Sequence, residues 1–336
     1  MTYRCQTLFL LFTLAIGPKA SAYHFIEVEL LSGGSAAVKW PTSSFPVPYF
    51  VNDRKPRDFS LDDTVEAIRA SFQTWEDVET ASISFEFAGL TGAGFVPFDQ
   101  MSTLTFTSDP SLALPGVLGA TIQIINLRNG ELVESDIFFS NLFVWSVDPA
   151  GRPNTFDFVS VATHEIGHFL GLDHSHVGFM QTTNFRRAVV AGSAILFPFS
   201  FGPGSVVGRT LTTDDATGVS LLYPASGFTQ STGSLSGRIT KGGQGVAFAH
   251  IVAFNPFTGK TVGVFANERG DFEMRGLGPG PHVVRVNPIT DPTSPEDFSF
   301  PEQGVDLDYR DAIFEGGSAE VRPGATTTGI DVEVAP

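Results

Sequence analysis

The sequence predicts an α+β chain, a twisted mixed sheet with three helices followed by a small all-β sandwich. Up to residue 225, short alternating segments are interrupted by a few stretches of helical period. Beyond a Gly/Ser/Thr-rich joint, ASGFTQSTGSLSG (225–237), only short strands and turns follow. The composition agrees: of 336 residues 42% are apolar and 17% charged, with 35 Gly, 22 Pro and 32 Phe, which suits a folded, loop-rich and strand-rich protein with two cores.

The chain begins with the pattern of an export signal. Arg4 is the positive end, LFLLFTLAIG (8–17) is apolar but too short to span a bilayer, and Ala20-Ser21-Ala22 is a small-residue cleavage site. Residues 1–22 are therefore read as a signal, which predicts a secreted protein. No later segment approaches the roughly 18 apolar residues of a transmembrane helix. The single cysteine, Cys5, lies inside that signal, so disulfides are not expected to stabilise the mature chain. A formal net charge of −16 argues against nucleic acid and against anionic lipid, and fits solubility outside the cell. A monomer is expected.

The predicted catalytic segment spans 23–226. VKW (38–40) and VPYFV (47–51) read as strand pieces. Ser60 caps a first helix with Asp63 three residues on, and Leu61, Val65, Ile68, Phe72, Trp75 and Val78 form its apolar face. Residues 82–90, 102–108, 121–127 and 131–140 alternate as strands, with Asn129-Gly130 as a tight turn between the last two. A second helix runs from Phe158 to Leu170. Residues 181–208 show no clear period, and Thr213 caps a third helix ending near Leu222.

The chemistry concentrates in HEIGHFLGLDH (164–174), where four of the seven histidines fall between 164 and 176. On a helix, His164 and His168 are one turn apart and share a face, so both imidazoles reach one zinc ion. Gly171 lets the chain turn sharply after the helix, bringing His174 back to the same ion. Three neutral ligands leave a fourth position open, the catalytic arrangement, and Glu165 beside it is the general base that activates water there. His176 reads as an exposed loop histidine, with an alternative ligand or a substrate contact as the other readings.

HEIGHFLGLDH matches the long metzincin zinc signature at every fixed position, and Ser175 directly after it resembles the matrixin branch. The resemblance covers about 38–225, with IRASFQTWEDV (68–78) similar to the first long matrixin helix and LTTDDATGVSLLYP (211–224) similar to the closing one. It implies a metzincin-like catalytic domain, a zinc metalloendopeptidase acting on protein or peptide substrates, and a methionine turn beneath the zinc, for which Met180 is the candidate. No histidine lies between 25 and 163, so a second zinc is not expected, nor is latency held by a cysteine. Calcium is left open, with Asp136 and Glu134 as candidates whose plain reading is solvent-facing strand residues. SGRIT, AHIVAFNPFTGK and NERGDFEMRGLGPGPHVVRV make 227–336 similar to the carboxypeptidase-regulatory-like β-sandwich. The rival to the enzyme is a non-catalytic adhesin or matrix-binding protein whose zinc only stabilises the fold.

Overall fold

The computed structural model describes residues 4–9, 25–183, 186–192, 194–298, 300 and 304–336, with side chains for 25–178, 194–298, 300 and 304–336. Most of the proposed signal, including its cleavage site, lies outside the described residues. A first strand, β1 (Arg4–Phe9), is followed by β2 (Val47–Asn52) and α1 (Leu61–Glu76). The helix starts where expected, because Ser60 Oγ accepts from the Asp63 amide at 3.1 Å while Asp63 accepts from the Ser60 amide at 3.1 Å. Its Ile68, Phe72 and Trp75 are buried.

Next come β3 (Phe85–Thr91), β4 (Thr103–Thr107), β5 (Val117–Asn126) and β6 (Glu131–Ser140). The sheet order is β1-β5-β6-β4-β2-β3, with the β5/β6 pair antiparallel and the remaining pairs parallel. The β5–β6 turn closes through Gly130 N–H to Asn126 O at 2.9 Å, with Gly130 at φ +77°, as the Asn-Gly signal predicts. β6 is paired on both sides, so of these two strands only β5 has an outer edge, and β1 lies along it with Cys5 opposite Gly119.

Glu134 and Asp136 are not solvent-facing; they are 0% and 2% exposed. Glu134 accepts from the amides of Phe98 (3.2 Å) and Gln100 (2.8 Å), and Asp136 from the amide of Thr103 (2.8 Å). They thus anchor the 98–103 loop, and nothing in their arrangement supports calcium. Burial, then the neighbouring Glu134 and Asp99 charges, pushes the Asp136 carboxyl up to about 8.

Helix α2 (Phe158–Phe169) packs on α1, with Trp75 Nε1 donating to Thr163 O at 2.9 Å, and its start is capped by Asp157, which accepts from the Ser160 amide. Overlapping the aperiodic stretch 181–208, the structure adds a hairpin, β7 (Gly178–Thr183) and β8 (Arg186–Gly192). Its pairing carries a register shift between Phe179 and Met180. Helix α3 (Thr213–Leu222) is capped by Thr212, one residue earlier than expected, because Asp215 accepts from the Thr212 amide (2.8 Å) and hydroxyl (2.7 Å).

The joint carries a short helix, Phe228–Ser231. Beyond it, β9 (Gly233–Lys241), β10 (His250–Phe254), β11 (Thr261–Phe265), β12 (Asp271–Leu277) and β13 (Gly280–Asn287) form two sheets. One sheet joins β9 and β12 with the short strands 244–245, 326–327 and 332–333; the other joins β11, β10 and β13 with 312–313 and 319–321. Leu235, Ile239, Phe272 and Met274 of the first are buried in one core cluster with Ile251, Ala253, Val284 and Val286 of the second. Contacts also cross the joint: Asp214 accepts from the Gly263 amide at 2.8 Å. Among the described residues no helix is long and apolar enough to cross a membrane.

Candidate active site

Helix α2 sets two of the three candidate ligands. His164 and His168 are one turn apart, with ring centroids 4.8 Å from each other. The helix then has to end, since the backbone at Gly171 takes φ +98° and a Cβ there would lie 2.0 Å from Val38 O. The turn is closed by Leu172 N–H to Gly167 O at 3.1 Å, and it returns His174 to 4.8 Å from His168 and 5.5 Å from His164. One nitrogen from each ring lies within 4.8 Å of the others, and all three residues are buried. The three-histidine set read from sequence is therefore brought together.

The proton positions follow from the partners. The Nδ1 atoms face backbone carbonyls of Ile195 (2.7 Å), Leu172 (2.8 Å) and Asp297 (2.7 Å). A carbonyl only accepts, so each Nδ1 carries a hydrogen, which in the neutral ring leaves Nε2 as an acceptor. The Nε2 atoms of His164 and His168 stand 3.0 Å apart, and His174 Nε2 is buried with no hydrogen-bond partner among the described residues. Protonation does not resolve this crowding, because burial pushes His164 down to about 3 and His168 well below its usual value, with neighbouring histidines adding to the effect. Three convergent ring nitrogens whose second ring atoms are fixed by carbonyls suit a divalent cation such as zinc.

Glu165 lies on the same turn, fully buried, and its Oε2 accepts from Thr121 Oγ1 of β5 at 2.7 Å. Opposite it on β5 stands Gly119, where a Cβ would come within 2.9 Å of Glu165 Oε1. The carboxylate is thus held beneath β5.

The matrixin family profile matches residues 39–224, more than half of the chain, and covers the three histidines, Glu165, Gly119 and Thr121 but not Asp297. The chain belongs to the matrixin family. It is a zinc metalloendopeptidase, and the non-catalytic adhesin reading is set aside. No curated protein matches the chain.

Two expectations about this matrixin's site are corrected. The turn beneath the histidines is made by Ala194–Phe197, closed by Phe197 N–H to Ala194 O at 3.2 Å, and it presents Leu196 rather than a methionine. Leu196 sits against α2, where a Cβ on Gly167 would lie 2.6 Å from Leu196 Cδ2. Met180 instead falls in β7, paired with Val189, and its side chain lies outside the described residues. His176 is 2% exposed, not a loop residue in solvent; its ring stands 4.8 Å from His250 and 5.4 Å from Phe298, and its Nδ1 is 3.1 Å from Thr293 Oγ1.

Sequence reasoning missed Gly119, Thr121, Leu196, Asp215 and Asp297. Asp215 accepts from the Ile195 amide at 3.0 Å, tying α3 to the turn that orients His164. The paired aspartates of 211–224 were a visible signal for that contact; Asp297 had none.

Proposed function

We propose that this matrixin is a secreted endopeptidase in which His164, His168 and His174 hold the zinc and Glu165 is the general base. The reading rests above all on the three Nε2 atoms that converge with no donor among them. Zinc at that position supplies Lewis acidity, which makes water a better nucleophile and polarises a carbonyl. The protein's own groups supply the rest. An extended peptide pairs by backbone hydrogen bonds with the outer edge of β5. That edge already accepts an extended segment, β1, and removal of residues 1–22 on export frees it. Glu165, aimed by Thr121, takes the proton of the attacking water and returns it to the leaving amine.

Residues 227–336 are read as a carboxypeptidase-regulatory-like β-sandwich after a 23–226 catalytic domain. Two sheets with alternating buried residues support that reading. Casein digestion with and without a chelator, beside Glu165→Ala, tests the mechanism. Glu165→Ala is expected to keep its zinc and lose ~10²-fold or more in turnover. Near-normal turnover by the zinc-loaded variant would sink the role given to Glu165.

A further inference from the structure

The third histidine is oriented by a part of the chain far from the zinc motif. His174 Nδ1 lies 2.7 Å from the carbonyl oxygen of Asp297, 123 residues downstream and inside the C-terminal region. That carbonyl is built into a fixed feature. Pro295–Phe298 form a single 3₁₀ turn, and Asp297 Oδ2 accepts from both the amide (2.7 Å) and the hydroxyl (3.0 Å) of Ser294. The next residue, Phe298, is 1% exposed and packs at 5.1 Å from Phe265 of β11 and 5.4 Å from His176. Asp297 is itself 9% exposed, so solvent competes little for its carbonyl.

We infer that Asp297 is a positioning residue of the metal centre, and that the 294–298 turn of the C-terminal region helps set zinc affinity by fixing the tautomer and ring orientation of His174. The inference rests on the zinc reading above. His174 sits past the end of α2, so the helix does not fix its ring as it fixes those of His164 and His168. A carbonyl acceptor at Nδ1 holds the hydrogen there and leaves Nε2 directed at the metal. The C-terminal region thereby becomes part of the active centre and not merely an appendage to it.

The test uses the full-length, metal-stripped protein. Asp297→Ala removes the side-chain bonds that seat the carbonyl, Phe298→Ala removes the anchor beside it, and Asp297→Asn keeps an acceptor for Ser294. Zinc affinity is measured by competition with a chelator of known affinity, with circular dichroism on the stripped proteins and the visible spectrum of their cobalt(II) forms. Both alanine variants are expected to bind zinc ~10–100-fold more weakly and to show an altered cobalt spectrum, with Asp297→Asn close to wild type. Stripped alanine variants that fold as wild type does and bind zinc within about twofold of it would overturn the inference, since that lies below the range for lost outer partners. Should an alanine variant fail to fold, Phe298→Leu carries the test with the same two outcomes. Wild-type protein that takes up no zinc would overturn the zinc reading instead.

Discussion

His164 and His168 take their orienting carbonyls from 31 and 4 residues away, whereas His174 takes its own from 123 residues away. The three ligands read as one motif of eleven consecutive residues, yet one of their supports comes from the C-terminal region, 123 residues on. A ligand inside a helix inherits its direction from the backbone. A ligand on the turn beyond it depends on whatever packs there, and here that is the C-terminal region. Contiguity in sequence thus reveals which atoms can meet a metal, but not what holds them in place.

The largest expected effect breaks the helical side of this comparison. His168→Ala leaves two ligands of three, and zinc affinity and peptide hydrolysis should both fall by ~10³-fold or more, well beyond any loss from the Asp297 turn. Metal analysis beside peptide turnover checks it. An effect no larger than that of Asp297→Ala would mean the two sides are not ranked as described.

Gly119→Ala separates the base from the metal. Its added Cβ would lie 2.9 Å from Glu165 Oε1 and 3.0 Å from Cγ, so the carboxylate must shift. Turnover should drop by roughly 10-fold, as small displacements of a catalytic group can do, with zinc content unchanged. Unchanged kcat would show that Glu165 tolerates the displacement.

The smallest effect concerns the joint on the His174 side. Asp214 accepts from Ser175 Oγ at 2.6 Å and from the Gly263 amide at 2.8 Å, linking the end of the zinc motif to β11. Burial, then the adjacent Asp215 charge, pushes its carboxyl up from 3.8 to about 7. The folded state therefore holds a proton that the unfolded chain releases between these values. The stability this contributes is present below pH 3.8 and is lost as pH rises through about 7. Asp214→Asn should remove that part of the pH dependence of the unfolding free energy, a slope of at most about 1.4 kcal/mol per pH unit, and so flatten the thermal midpoint's pH profile. Parallel midpoint-versus-pH curves for the two proteins would refute the assignment.

Much of this was legible in the sequence. Ser60 with Asp63, the α1 period, Gly171 and the Asn129-Gly130 turn are local signals, each fixed by backbone geometry within a few residues. Two of the histidines followed from helical spacing, and the third from the turn that Gly171 permits. What stayed hidden depends on tertiary packing. Strand β5 is buried on both faces from Val117 to Ile124, so alternation could not say that Gly119 and Thr121 face Glu165. Glu134 and Asp136 look like solvated strand carboxylates until the loop that donates to them is in place. Leu196 occupies the turn where a methionine was sought, and Asp297 acts through a backbone carbonyl, a group every residue possesses.

The most direct test of the central claim is a zinc titration of the mature, chelator-stripped protein with peptide hydrolysis followed in parallel. One equivalent of zinc should bind tightly and restore hydrolysis in step, because one set of three convergent histidines exists among the described residues. Hydrolysis that survives complete stripping, or that returns only with a second tightly bound equivalent, would contradict the account.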